Sequence, residues 1–252
     1  MMINDPIIKV ENLSVSYGSL DVLSNVSFNV ERGEIFVIVG GSGCGKSTLL
    51  RQLIGLEIPN EGNIFIDGMD FIESQKKERK GILRKFGVLF QSSGLFASMT
   101  LAENIRLVLE SYTDLNDDEM DEIVDIKLSS VGLNGFREYY PSEISGGMKK
   151  RAALARAMAL DPAILFFDEP SSGLDPVTAA SLDKLITEIN KIFKTTMIIV
   201  THDLSSILSI SHRIIMLDKS VKGIIAQGTP DYLVNLKENS YVYDFFNRIP
   251  GV

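Results

Sequence analysis

The sequence predicts an α/β fold in three parts: a core built on buried strands, an antiparallel β edge subdomain and an inserted helical subdomain. Three observations carry this. Short, continuous apolar runs at 35–39, 164–167 and 197–200 read as strands covered on both faces. Near the start, Ile8, Val10, Leu13 and Val15 alternate with polar neighbours, the pattern of a sheet with one solvated face. From about 92 to 160 the apolar spacing becomes helical and strands are hard to find.

Taken in order, the first strand covers the alternating residues, Tyr17-Gly18 stands in a loop, and a second strand runs from 22 to 30. Arg32-Gly33-Glu34 then turns the chain into the apolar run 35–39. Gly40-Gly41-Ser42-Gly43-Cys44-Gly45-Lys46-Ser47-Thr48 follows, and the next residues, 49–54, read as a helix. This is G-x-x-x-x-G-K-[ST] between strand and helix, the context that marks a true phosphate-binding P-loop. Glycines let successive backbone N–H groups turn inward as a nest at a helix N-terminus. Lys46 would reach the β- and γ-phosphates, and the Ser47 hydroxyl would ligate Mg²⁺. Cys44 is read as a small residue filling a tight loop. A nucleoside triphosphate is therefore the expected ligand.

Pro59-Asn60-Glu61-Gly62 opens another strand over 62–66, 75–85 is basic and helical, and 87–90 is a short strand ending at Gln91. In the helical block, Met120, Ile123, Val124, Leu128 and Val131 share one helix face that Asn116 caps. The acidic cluster at 117–122 lies in the first turns, where carboxylates suit the helix dipole, and is read as a solvated helix start. The core resumes at 164–167, closed by Asp168-Glu169. Asp175-Pro176 starts a helix with an apolar stripe of Leu182, Leu185, Ile186, Ile189 and Phe193. The strand 197–200 ends in Thr201-His202-Asp203, and strands at 214–217 and 224–226 and a helix capped by Thr229-Pro230 follow. The expected organisation is a single domain over 1–252. Within it, 1–91 and 161–236 form the core with its β subdomain, 92–160 the helical subdomain, and 237–252 a C-terminal tail. In that tail Phe245-Phe246-Asn247-Arg248 is read either as a docking segment for a partner or second protomer, or as a disordered end.

Composition narrows the function. Of 252 residues, 45% are hydrophobic and 23% charged, as in ordinary globular proteins. No apolar stretch approaches the length that crosses a bilayer, and the first residues do not read as a signal peptide. A membrane role would then come through a partner. A net charge of −8 argues against broad nucleic-acid binding. The lone cysteine excludes an internal disulfide and fits a reducing cytoplasm.

In open α/β sheets a ligand sits beyond the carboxyl ends of the strands, and the P-loop, Gln91, Asp168-Glu169 and His202 all directly follow expected strands. Phosphoryl transfer to water requires Mg²⁺, charge neutralisation and a positioned nucleophile. Asp168 is expected to hold Mg²⁺ through a water, Glu169 to act as general base, His202 to donate to the γ-phosphate, and Gln91 to coordinate Mg²⁺ or the lytic water. Ser145-Gly146-Gly147, opening an alanine-rich helix, makes a second anion-binding N-terminus. Because the core already supplies one phosphate loop, that turn is expected to complete the site of a second copy across a dimer.

Together these motifs resemble the nucleotide-binding subunit of an ABC transporter over nearly the whole chain. The order is that family's: Tyr17 as the aromatic that stacks on adenine, the Walker A loop, the Q-loop Gln91, the signature 144–148, Walker B through Asp168 and Glu169, the D-loop 172–175 and the switch His202. The resemblance implies a P-loop NTPase (RecA-like) core, ATP and Mg²⁺ as ligands, Val22 beside Tyr17 in the nucleotide site, and a head-to-tail homodimer enclosing two ATP molecules. It also implies integral-membrane permease partners docking near 90–101, at the inner face of the inner membrane. Met148 stands where glutamine is usual in the signature. With the phrases 89–96, 141–148, 151–157 and 201–210, it makes the chain similar to the Mla-type ATPases. Those move phospholipid between bacterial membranes with MCE-domain and small STAS-like regulatory partners. An importer of amino acids or other small solutes, and an ATPase with soluble partners of the iron–sulfur assembly type, are the alternatives.

Overall fold

A computed structural model describes residues 5–249. The chain opens with β1 (Ile8–Tyr17), β2 (Leu20–Val30), β3 (Ile35–Gly40), α1 (Lys46–Leu53), β4 (Glu61–Ile66) and β5 (Met69–Asp70). It continues through α2 (Lys76–Leu83), β6 (Phe86–Leu89), α3 (Leu101–Tyr112), α4 (Asp117–Ser130), α5 (Gly146–Ala157), β7 (Ile164–Asp168), α6 (Pro176–Phe193) and β8 (Thr196–Val200). It ends with α7 (Leu204–Ile210), β9 (Arg213–Asp218), β10 (Gly223–Gly228), α8 (Pro230–Val234) and α9 (Ser240–Asn247).

Two sheets result. One is antiparallel, ordered β2-β1-β4-β5; the other is ordered β10-β9-β3-β8-β7-β6, with every neighbour parallel except β10 against β9. Alternation along the parallel strands assigns the two faces. Phe36, Ile38, Phe166, Ile198, Ile215 and Leu217 pack with Leu49, Leu50 and Leu53 of α1 and the apolar face of the antiparallel sheet. Val37, Val39, Leu165, Phe167, Ile199 and Met216 pack with helices α3 to α6. Burial on both faces is why these strands read as unbroken apolar runs.

Local chemistry sets the element ends. The Thr100, Asn116 and Ser145 side chains each accept from a backbone N–H three residues on, capping α3, α4 and α5. Asp175 caps α6, with Pro176 at its first position. Arg106 and Arg137 pair with Asp117, Asp121 and Asp125, so the acidic start of α4 is neutralised by cations as well as by the helix dipole. The helix α5 reaches back to the parallel sheet: a side chain at Gly87 of β6 would meet the Ala157 carbonyl at 2.1 Å.

The structure corrects three expectations. Tyr17 is the last paired residue of β1, opposite Leu20, not a loop residue. Phe193, placed in the buried stripe of α6, is exposed at the helix end while Leu182, Leu185, Ile186 and Ile189 are buried. Much of the expected tail forms α9, and Val242 and Phe246 are buried in the main core, so it is not a disordered end. Residues 250–252 lie outside the described part.

Candidate functional site

The P-loop turns β3 into α1 through conformations that glycine permits. At Gly40 φ is +146°, and a Cβ would lie 2.3 Å from the Leu217 carbonyl oxygen and 2.6 Å from Cys44 Sγ. Gly45, at φ +101°, precedes the first turn of α1 and packs against Val22 and Leu23. Val22 is thereby brought onto the loop. Cys44 is buried with the apolar core, while Ser42, Gly43 and Ser47 face outward. Lys46 Nζ donates to the carbonyls of Gly40 at 2.8 Å and Gly41 at 2.9 Å, which holds the ammonium over the loop.

Beyond the neighbouring strands the acids gather. Asp168 ends β7, and burial first, then the adjacent Glu169, push its carboxyl above the usual range. Glu169 has φ +47°, an unusual conformation for a residue with a side chain. Its Oε1 lies 2.8 Å from His202 Nδ1, in the loop after β8. A carboxylate only accepts, so this bond places the ring proton on Nδ1. His202 thus orients Glu169. Gln91 Nε2 donates to Ser172 Oγ at 3.2 Å, tying the end of β6 to the loop after β7.

The sequence reading missed Lys150. It lies on α5 and is 4% exposed, and its ammonium donates to Gln91 O at 2.5 Å and to Glu169 O at 3.4 Å. Desolvation holds its pKa down, against the pull of Asp168 and Glu169. One cation therefore ties the start of the alanine-rich helix to two residues of the expected catalytic set. Its only signal in sequence was a lysine at an otherwise apolar helix position.

Ser145 and Gly146 are exposed at the N-terminus of α5, about one helical turn before Lys150, with Ser145 Oγ accepting from Met148 N at 3.3 Å. Among the described residues no hydrogen bond joins this turn to the P-loop. The neighbouring strands β3, β8, β7 and β6 set the P-loop, His202, Asp168-Glu169 and Gln91 side by side beyond their carboxyl ends, whereas Gly146 and Gly147 lie against Leu174 and Thr178. Tyr17 is half exposed, and its hydroxyl donates to Glu57.

Ser47, Asp168 and Gln91 offer a hydroxyl, a carboxylate and an amide oxygen. That is a partial donor set suited to a cation that keeps waters and shares phosphate oxygens, as Mg²⁺ does. Among the described residues no group of three His, Cys, Asp or Glu could hold a metal by itself, so protein groups would supply only part of the shell.

The ABC transporter family model matches residues 23–172. The chain is 48% identical over 198 residues to the "Probable ribonucleotide transport ATP-binding protein mkl" of Mycobacterium tuberculosis, covering 79% of this chain and 55% of that one. It thus spans about half the length of that relative. It is 39% identical to the intermembrane phospholipid transport system ATP-binding protein MlaF of Escherichia coli K12, over 90% of this chain and 84% of that one. Among solved structures, the dimeric post-hydrolysis state of the ATP-binding cassette MJ0796, bound to ADP and Pi, superposes with a TM-score of 0.80. That match has 30% identity and covers 88% of this chain and 98% of that one. CbiO1 of Clostridium perfringens, part of the ABC transporter complex cbiONQ, reaches 0.84 at 30% identity, covering 97% of each chain. The family match and the long alignment with MlaF, joined to a P-loop and paired acids beyond the carboxyl ends of neighbouring parallel strands, place this chain in the ABC transporter family, as an ATP-binding cassette.

Proposed function

We propose that this chain hydrolyses ATP to drive a lipid transporter, working as a homodimer on integral-membrane permease subunits. The observation that supports it most is the Glu169–His202 pair, 2.8 Å apart and next to Asp168, beyond the carboxyl ends of β7 and β8, the strands beside the one from which the P-loop springs. In this reading the loop amides and Lys46 grip the triphosphate while Tyr17 and Val22 flank the base. Glu169, held by His202, takes the proton of the attacking water. Mg²⁺, held by Ser47, Gln91 and Asp168, would neutralise charge developing on the phosphates. The exposed Ser145-Gly146-Gly147 turn of a second copy would close over the γ-phosphate with its backbone N–H groups. Fold boundaries follow the same reading: 1–91 with 161–236 is the catalytic part and 92–160 the part that carries the turn across.

The alignment with MlaF favours phospholipid as cargo, with MCE-domain and small STAS-like proteins as further partners and a peripheral place on the inner membrane. No helix among the described residues is long and apolar enough to cross a membrane, so a permease would supply the path. The higher identity to mkl favours a second reading, in which the cargo is a ribonucleotide. Purification of the chain with its partners from detergent-solubilised membranes, followed by reconstitution, separates them. The proposal expects a multispanning permease, co-purifying phospholipid and ATPase activity raised by phospholipid vesicles. ATP-driven movement of a labelled ribonucleoside monophosphate across the vesicle membrane, with no response to phospholipid, would replace the lipid reading, and recovery with soluble scaffolds alone would overturn transport itself.

A further inference from the structure

Tyr17 is fixed to an unusual degree for a half-exposed aromatic side chain. It pairs with Leu20 at the tip of β1 and β2, and the amide of its neighbour Ser16 donates to Asn60 Oδ1 at 2.7 Å. A side-chain bond also reaches out of the hairpin, from the Tyr17 hydroxyl to Glu57 Oε2. Glu57 lies in the turn that ends α1 and is itself held there. Its Oε2 also accepts from Gln52 Nε2 at 3.2 Å, and its Oε1 lies 3.4 Å from Arg51 Nη1. Gln52 is 1% exposed, so this anchor is rooted in the core. The Glu57 carboxylate, accepting the phenolic proton, is the main reason the Tyr17 hydroxyl keeps that proton above the usual phenol range.

The geometry points to Glu57 as a positioning residue that pins the Tyr17 ring to α1, so that the base and triphosphate of one nucleotide are read at a fixed separation. This rests on the reading of Tyr17 as the base platform. The phosphate nest sits at the N-terminus of α1, and Arg51, Gln52 and Glu57 belong to the last turn of that helix and the residues after it. A ring tethered to the helix moves with the phosphate loop. An untethered ring would have to be ordered when the base arrives, at an entropic cost that weakens binding. Stacking gains from the ring being held parallel to a planar ligand, and the hydroxyl is the one atom that can hold it without covering its face.

The test compares two probes on the full chain, ATP and inorganic tripolyphosphate, by calorimetric titration. Tripolyphosphate has no base, so it reports on the phosphate loop alone. Glu57→Ala is expected to weaken ATP about three- to tenfold and leave tripolyphosphate unchanged. Tyr17→Phe, which removes only the hydroxyl, should match it, and the double variant should be no weaker than either single one, because both break the same bond. Glu57→Gln keeps an accepting oxygen and should recover most of the affinity. Equal losses for ATP and tripolyphosphate in Glu57→Ala would overturn the proposal, since Glu57 would then act by supporting α1. Unchanged ATP affinity in Glu57→Ala, with Tyr17→Ala weakened, would also overturn it while leaving the base platform standing. If Tyr17→Ala binds ATP like the parent, the platform reading falls and takes the proposal with it.

Discussion

Replacing Lys150 with methionine tests whether the helix bearing the Ser145 turn is mechanically joined to the catalytic residues. The ammonium donates to Gln91 O at 2.5 Å and more weakly to Glu169 O at 3.4 Å. A hydrogen bond from a charged donor contributes roughly 1.5–3 kcal/mol, while a contact at the distance limit adds little. Methionine fills the stem volume and relieves the desolvation that now lowers the lysine pKa, which offsets part of the loss. The net cost is about 1–2 kcal/mol, and for a domain of this size each kcal/mol shifts the melting point by about 2–4 °C. Melting should fall by roughly 2–8 °C. Turnover should fall further than this, by about tenfold or more, because Gln91 and Glu169 lose a common anchor. ATP affinity should hold, since the P-loop contacts are untouched. The assay is steady-state ATPase with a parallel ATP titration on the folded variant. Parental turnover in a folded Lys150→Met protein would refute the reasoning.

Other outcomes follow from the same geometry. Glu169→Gln should bind ATP and stop hydrolysing it, leaving ATP-bound dimers on gel filtration; ordinary turnover would remove Glu169 as the base. Ser145→Arg should abolish ATPase activity while a single chain still binds ATP, and unchanged activity would count against a site shared between copies. Gly40→Ala should lower the melting point far more than Gly43→Ala. A methyl at 40 meets backbone 2.3 Å away, whereas at 43 it meets nothing and costs only left-handed strain of about 1 kcal/mol; similar melting points would contradict this. Asp183 is buried, its Oδ1 has no partner, and burial raises its pKa although Ser206 opposes the shift. An acid with a raised folded pKa loses stability as pH climbs from the unfolded value of 3.8 through the folded one. Asp183→Asn should therefore melt higher than the parent at neutral pH, with the advantage fading toward pH 3.8; a constant difference across that range would show that ionisation is not the cause.

What the sequence made legible was what short windows encode. The P-loop is local: its glycines, Lys46 and Ser47 lie within a few residues, and their spacing carries the chemistry. The strands β3, β7 and β8 are legible because burial on both faces leaves continuous apolar runs. Lys150 was not legible, because its partners Gln91 and Glu169 are remote in the chain and only the packing of α5 on the sheet brings them together. Glu57 was hidden for the same reason, as its meaning depends on a tyrosine at the end of β1, remote from it in the chain. In α9 the buried positions are only Val242 and Phe246, too few for a helical period to stand out. Phe193 was misjudged because a helix stripe gives the face and not the place where the core ends.

The most direct measurement is a structure of the Glu169→Gln protein with ATP and Mg²⁺. The account requires two chains head to tail, each nucleotide lying between Lys46 of one copy and Ser145 of the other. A nucleotide enclosed within one chain, or a dimer in which Ser145 faces solvent, would contradict it.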